Sequence, residues 1–328
     1  MSSERAVAIN AVLKASQLCQ QVFRHLIDGE TITKSDRTPV TVADLGAQAV
    51  VNEILHNSFP DDVIIGEEDS KILRGEDGKQ LREKVLSLAN TVLDTPLDDE
   101  KLLEAIDRGS HPGGTQGRMW TLDPIDGTEG FIRGDQFAVC LALIIDGHVQ
   151  LGVMGCPNFP VDHKTPEGEK GCLFVAVKGQ GSFQRKFTSA EETQIRMTDI
   201  SSPSDASFCE SVVASHSSHE DSAKIAALLG VTKPAIRMDS QCKYCSVARG
   251  DADIYLRLTR GDYLENIWDH ASGSLLIQEA GGIVSDIYSK PLDFSLGRKL
   301  DNNKGVIVAH PKIHSQVIDA VQKVSLNK

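Results

Sequence analysis

Two apolar runs, Phe137–Ile145 and Val149–Met154, flank the dipeptide Asp146-Gly147, and this arrangement constrains the chain more than any other stretch. Asp-Gly between two β-rich segments predicts a tight hairpin, because both turn residues tolerate a left-handed backbone. The sequence around the hairpin alternates between strand and helix signals. Residues 5–27 carry apolar side chains at helical spacing: Val12, Leu13, Leu18, Val22, Phe23 and Leu26. Thr38–Asp44 reads as extended, turning at Asp44 into a helix whose apolar face holds Leu45, Ala49, Val50, Ile54 and Leu55. Val63–Ile65 and Cys172–Val177 read as strands. The charged stretch 70–118, with two helical segments and a His111-Pro-Gly-Gly114 exit, reads as an insertion over a cleft.

Beyond the polar text at Lys186–Thr198 a second α/β stretch begins. Strands are expected at Val212–Ala214, Ala235–Met238, Ile254–Leu258 and Val306–Ala309. Helices are expected over Ser240–Arg249, Asp269–Ala280 and the C-terminal end. The simplest architecture is α/β of the α+β type, with mixed sheets layered with helices in two lobes, 1–185 and 186–328, forming one catalytic unit.

Charge and composition narrow the function. With 34 Lys+Arg against 46 Asp+Glu the net charge is −12, which disfavours nucleic-acid polymers and anionic membranes as partners. The longest apolar run falls far short of the roughly 20 residues of a membrane span. The N-terminal MSSERAVAIN lacks the apolar core of a signal peptide, and seven scattered cysteines fit free thiols in a reducing compartment. A cytoplasmic monomer is therefore expected. Cys242-Lys-Tyr-Cys245 has no second ligand pair at zinc spacing, so it reads as two thiols on a helix.

The densest chemical signal is Trp120-Thr-Leu-Asp-Pro-Ile-Asp-Gly-Thr128. Asp123 is delivered at a strand end, Pro124 is expected to stop the strand, and Asp126 returns three residues later. These two carboxylates and the Ile125 carbonyl between them can converge on one point, the oxygen-only set that hard divalent cations prefer. Three further acidic elements stand at expected element ends. These are Glu67-Glu68-Asp69 after a strand, Asp269 in Trp268-Asp269-His270 opening a helix, and Asp44 at a helix N-terminus. Each alone fits a solvated loop or a helix cap. Together, with no P-loop, GxGxxG or serine nucleophile elbow beside them, they point to carboxylates holding magnesium.

Glu67-Glu68, Asp123-Pro-Ile-Asp-Gly-Thr128 and Trp268-Asp269 resemble, in order, the three signatures of the lithium-sensitive inositol monophosphatase superfamily. Phe131–Val139, His216-Ser-Ser-His219, Asp239–Tyr244 and Ile254–Arg257 resemble its 3′(2′),5′-bisphosphate nucleotidase branch. The likeness runs from about Thr41 to the last strand. It implies a layered α-β-α-β-α sandwich of the inositol-phosphatase and fructose-bisphosphatase type. One Mg2+ would be held by Glu67, Asp123 and the Ile125 carbonyl, a second by Asp123, Asp126 and Asp269, and a weaker third near Glu67 and Asp44. Thr128 would orient the attacking water and Asp44 would accept its proton.

Hydrolysis of the 3′-phosphate of adenosine 3′,5′-bisphosphate to AMP is implied, with 3′-phosphoadenosine 5′-phosphosulfate as a second substrate. Sensitivity to lithium is implied too. Ser240, Lys243 and Arg257 would hold the phosphate that is not cleaved, His216 would meet the base or ribose, and His219 has no assigned role. The alternative is an inositol mono- or polyphosphate 1-phosphatase, which shares the metal residues without needing Ser240, Lys243 and Arg257. A non-catalytic relative would be expected to lack a metal ligand or Thr128, and this sequence lacks neither.

Overall fold

The computed structural model describes residues 1–27, 38–212, 219–258 and 263–325. In chain order the elements begin with α1 (Ser2–Ile27), α2 (Thr38–Ser58), β1 (Val63–Gly66), α3 (Lys79–Asn90), α4 (Asp99–Asp107) and β2 (Arg118–Asp126). Next come α5 (Thr128–Arg133), β3 (Ala138–Ile145), β4 (His148–Pro160), β5 (Lys170–Val177), β6 (Gly181–Lys186) and β7 (Thr193–Ile195). Then follow β8 (Phe208–Glu210), α6 (His219–Leu229), β9 (Ile236–Arg237), α7 (Cys242–Arg249) and β10 (Ile254–Arg257). The chain closes with α8 (Ala271–Glu279), β11 (Ile283–Ser285), β12 (Val306–Ala309) and α9 (Pro311–Ser325).

The strands form a seven-stranded sheet, β1 to β7 in sequence order, and a five-stranded sheet ordered β11-β12-β10-β8-β9. The β3–β4 hairpin is its organising pair. Asp146 and Gly147 both have positive φ, 49° and 76°, as a hairpin turn of mirror-image type requires. The run Ala138–Ile144 is buried on both faces, which explains its unbroken apolar text. Val139, Leu141 and Leu143 face one core with α1 and α2, whereas Ala138 and Cys140 face a second core with α7 and α8. Phe208, Ile254 and Leu256 of the second sheet pack on Ile225, Ile313 and Val317 of α6 and α9. The result is an α-β-α-β-α sandwich, with α1 and α2 on one outside, α6 and α9 on the other, and α7 and α8 between the sheets.

Several local expectations are corrected. Thr38–Asp44 is helical, not extended, so Asp44 lies in the second turn of α2 and not at its cap. A proline second in a helix removes no intrahelical bond, because the first N–H groups have no partner there. Pro124 does not end β2. β1 runs out where Gly66 pairs Leu122, and the β2–β3 register shifts between Asp123 and Asp126, so the proline sits in a bulge. The strand expected at Val212–Ala214 lies earlier, at Phe208–Glu210. Val212 falls in a bend, and 213 and 214 lie outside the described residues. Cys242 and Cys245 do lie on a helix, buried in the middle core, and all seven thiols are free. Among the described residues no helix is long and apolar enough to cross a membrane.

The middle helices sit close because small residues face them. A Cβ added to Gly273 of α8 would stand 2.4 Å from ring carbons of buried Tyr244. Alanine is the better helix former by about 1 kcal/mol, yet overpacking a core typically costs about 1–3 kcal/mol. Gly273→Ala is therefore expected to lower the urea-unfolding midpoint. An unchanged or raised midpoint would show that the ring yields freely.

Candidate active site

Asp44 projects from α2 into the protein and is buried, and Gln48 follows one helical turn later on the same face. The Gln48 side-chain amide accepts from Glu68 N at 3.0 Å and donates to Glu68 O at 2.6 Å and Ile106 O at 2.9 Å. Two glycines make room for it, since a Cβ on Gly66 or Gly109 would come within 2.5 or 2.8 Å of that amide. Gln48 therefore fixes the direction in which Glu67 and Glu68 leave β1. Glu67 N donates to Leu122 O at 3.2 Å, which sets Glu67 beside Asp123 on the neighbouring strand. Asp269 lies in a turn before α8, in which His270 N and Ala271 N both donate to Ile267 O, at 3.2 and 2.9 Å.

Asp123, Asp126 and Asp269 each place a carboxylate oxygen within 4.8 Å of the others, and Glu67 interacts electrostatically with the cluster. Asp123 is almost fully buried and its Oδ1 has no hydrogen-bond partner. Burial first, then the charge of its neighbours, holds these groups up. Asp123 and Asp44 are pushed well above the carboxylate range, Glu67 to about 8 and Asp269 to about 6. Glu67 still opens to solvent through the cleft, although protein crowds its other sides. Glu68 and Glu67 both raise Asp44, so the α2 carboxyl belongs electrostatically to the same cluster. An orphaned buried oxygen among oxygen-only donors is the environment a hard divalent cation completes. Ile125 lies between Asp123 and Asp126 on the bulged stretch.

Glu67, Asp126 and Asp269 line a cleft of about 340 Å³. Thr128, the first residue of α5, lines it next to Asp126. Ser240, Lys243, Tyr255 and Arg257 line its wall too, Lys243 and Arg257 bringing positive charge. Gly127 (φ 93°) and Ser240 (φ 64°) pass so closely that a Cβ on Gly127 would lie 2.8 Å from Ser240 Cβ. The Lys243 ammonium donates to Ser240 O at 2.7 Å and lies 5.6 Å from the Tyr255 ring centre. Burial lowers its pKa, against the pull of Asp126.

Most site residues named from the sequence thus meet in one cleft. His216 lies outside the described residues. His219 opens α6, and its Nε2 is 2.9 Å from Ser211 O, a structural contact. The 70–118 stretch is not a cover for the cleft: none of its residues lines it, and Leu102, Ala105 and Ile106 of α4 are buried in the core with α2. Its apolar face was masked by the charged residues between.

The sequence reading missed Glu265. Arg257 Nε donates to Glu265 Oε1 at 2.8 Å, and His270 Nε2 is 3.2 Å from Glu265 Oε2. A carboxylate only accepts, so in a neutral ring Nε2 carries the proton and Nδ1 accepts from Tyr244 OH at 2.7 Å. Burial alone would raise Glu265, but His270 and Arg257 hold it near 2. Glu265 lies in neither the strand that carries Arg257 nor the helix that follows His270, so no periodicity within one element announces the contact.

The sequence matches the inositol monophosphatase family across residues 1–326. A 3′(2′),5′-bisphosphate nucleotidase of Schizosaccharomyces pombe is 46% identical, with 98% of this chain and 96% of that one aligned. The same figure, 46%, holds for a 3′(2′),5′-bisphosphate nucleotidase of Emericella nidulans, over 98% of each chain. Among solved structures, an inositol monophosphatase from Anabaena superposes with a TM-score of 0.61 at 22% identity, covering 98% of this chain and 96% of its own. That likeness shows the fold.

Clustered carboxylates impose a pH dependence. Glu67 and Asp269 bind protons more tightly folded than unfolded, so the folded state holds more protons between their ordinary values, near 4, and about 8. Stability of the chelated protein is then expected to fall as pH rises through that window, and Mg2+ should restore it most at pH 8. Urea midpoints at pH 5.5 and 8, with chelator and with Mg2+, check this. A metal-free midpoint that rises across the window would contradict it.

Proposed function

The chain belongs to the inositol monophosphatase family, and on that premise we propose that it is a magnesium-dependent phosphatase of adenosine 3′,5′-bisphosphate. It releases the 3′-phosphate to give AMP and inorganic phosphate, and it acts likewise on 3′-phosphoadenosine 5′-phosphosulfate. The observation that carries this reading is one cleft lined by both signs of charge: the carboxylates of Glu67, Asp126 and Asp269, with Asp123 clustered behind them, and the cations Lys243 and Arg257.

A bisphosphate has two anionic groups, and each needs its own counter-charge. Glu67, Asp123 and the Ile125 carbonyl would hold one Mg2+, Asp123, Asp126 and Asp269 a second, with Glu67 and Asp44 able to hold a third. Bound there, magnesium supplies charge neutralisation for a phosphoryl group and an increased acidity of water. Thr128 places a hydroxyl beside Asp126, where it can orient a water by hydrogen bonding. Asp44, ionised once bound magnesium offsets the charge of Glu68 and Glu67, would accept the proton that this water gives up as it adds to phosphorus. The phosphorus–oxygen bond to the ribose breaks and the 3′-oxygen takes a proton from solvent. Ser240, Lys243 and Arg257 hold the 5′-phosphate meanwhile. The Glu265–His270–Tyr244 chain fixes Arg257 in the wall before substrate arrives.

Residues 1–185 then supply Glu67, Asp123, Asp126 and Thr128, and 186–328 supply Asp269 and the cationic wall. The free buried thiols support a cytoplasmic location. An inositol monophosphate would leave Lys243 and Arg257 without a second phosphate to hold.

Phosphate release is to be measured across 3′-phosphoadenosine nucleotides, AMP and inositol phosphates, with Mg2+ and with chelator. The bisphosphate should be cleaved best and AMP scarcely at all, with no release in chelator. Efficient cleavage of AMP, or preference for an inositol monophosphate, would move the assignment to the alternative. Losing a charged contact costs about 1.5–3 kcal/mol, or roughly ten- to a hundred-fold. Arg257→Ala should raise KM for the bisphosphate by that factor, with the unpaired Glu265 adding repulsion, and leave a small monophosphate nearly unaffected. Equal loss on both would refute a dedicated 5′-phosphate pocket.

A further inference from the structure

The carboxylates of Asp123, Asp126 and Asp269 lie within 4.8 Å of one another with Glu67 close by, and the elements that bear them come from both lobes. Something must hold Asp126 and Glu67 against Asp269. Two side chains do so, and both meet at Trp268, the residue before Asp269.

The first is Gln241, buried immediately ahead of α7. Its backbone N–H donates to Asp126 Oδ2. Its side-chain Nε2 donates to Trp268 O at 2.9 Å, and its Oε1 accepts from Ser272 Oγ at 3.0 Å. One residue thereby fastens the Asp126 carboxylate to both ends of the turn that carries Asp269. The second is Arg298. Its NH2 donates to Gly66 O at 2.6 Å, and its NH1 to Gly109 O at 3.1 Å and His111 O at 3.2 Å. Its guanidinium lies 4.7 Å from the Trp268 ring centre, and its own carbonyl accepts from Ile267 N at 3.1 Å. It therefore ties the peptide next to Glu67 to the segment next to Asp269. Its charge also faces Glu67.

We propose that Gln241 and Arg298 are positioning residues that meet at Trp268 and set the spacing of Glu67, Asp126 and Asp269 for divalent-metal binding. Neither offers a metal a carboxylate or a carbonyl of its own in this arrangement. Their effect passes through the ligands they hold, as partners behind metal-binding groups generally do. This rests on the metal reading above but not on which phosphate ester is cleaved.

Mg2+ affinity decides the matter, measured by titration calorimetry on the full chain without substrate. The variants are Gln241→Met, which keeps length and removes both side-chain hydrogen bonds, and Arg298→Lys, which keeps charge and loses the fork. Each is expected to weaken Mg2+ binding by about ten- to a hundred-fold, the range for such supporting partners. The double variant should fall short of the product of the two, because both act through Trp268. Unchanged Mg2+ affinity with a lowered urea midpoint would overturn the proposal, since that is what a purely structural role gives. If Arg298→Lys does not fold, Gln241→Met decides by the same criterion. A wild-type protein that binds no Mg2+ would instead overturn the metal reading itself.

Discussion

Repulsion among clustered carboxylates is the constraint on which this structure turns. Burial and then the charges of Glu67, Asp126 and Asp269 raise the proton affinity of Asp123, which keeps one buried oxygen without a partner, and Asp269 and Asp126 help to raise that of Glu67. A fold selected for stability alone would pair or disperse them, since an uncompensated buried charge is strongly unfavourable. That strain is tolerated where a site must be ready for a cation, and perturbed carboxyls collect at such places. The supporting contacts follow from the same need. Gln48 fixes the Glu67–Glu68 peptides, the bulge in β2 turns Asp126 back toward Asp123, and the Ile267 turn delivers Asp269.

The layers of the sandwich explain how residues so far apart in sequence meet. β1 and β2 pair in parallel, so Glu67, just past the end of β1, stands beside Asp123 within β2, with α2 packed on β2 to supply Asp44. Helices α7 and α8 fill the space between the sheets, so Lys243 and Asp269 reach the same cleft from the other side. Small residues let them approach, and the close packing of Gly273 on Tyr244 brings Tyr244 to His270 and so into the chain that holds Glu265 and Arg257. Core packing and the cationic wall are in this sense one structure.

Legibility from sequence followed the range of the interaction. The hairpin at Asp146-Gly147, the strand Val306–Ala309 and the helix after Ser240 were readable because turn chemistry and apolar periodicity are local. The carboxylates were readable because Asp123, Ile125, Asp126 and Thr128 fall within one short motif, and Glu67 and Asp269 each carry recognisable neighbours. The capping role expected of Asp44 failed because helix α2 starts six residues earlier, through a proline that first-turn geometry accepts. The 70–118 segment was misplaced because charged residues interrupt the buried face that binds it to α2. Glu265, Gln48 and Arg298 were invisible for a different reason. Their partners are backbone carbonyls or side chains on other elements, fixed by tertiary geometry that no short-range pattern encodes.

The central claim is that the carboxylates and the cations lining one cleft distinguish two phosphates on one molecule. The most direct measurement follows both phosphorus resonances of adenosine 3′,5′-bisphosphate by NMR during turnover with Mg2+. The expected result is loss of the 3′-phosphate signal and growth of inorganic phosphate, with the 5′-phosphate signal persisting as AMP. Loss of the 5′-phosphate first, or of both at equal rates, would contradict the assignment of the carboxylates to the 3′-ester and of Lys243 and Arg257 to the 5′-phosphate.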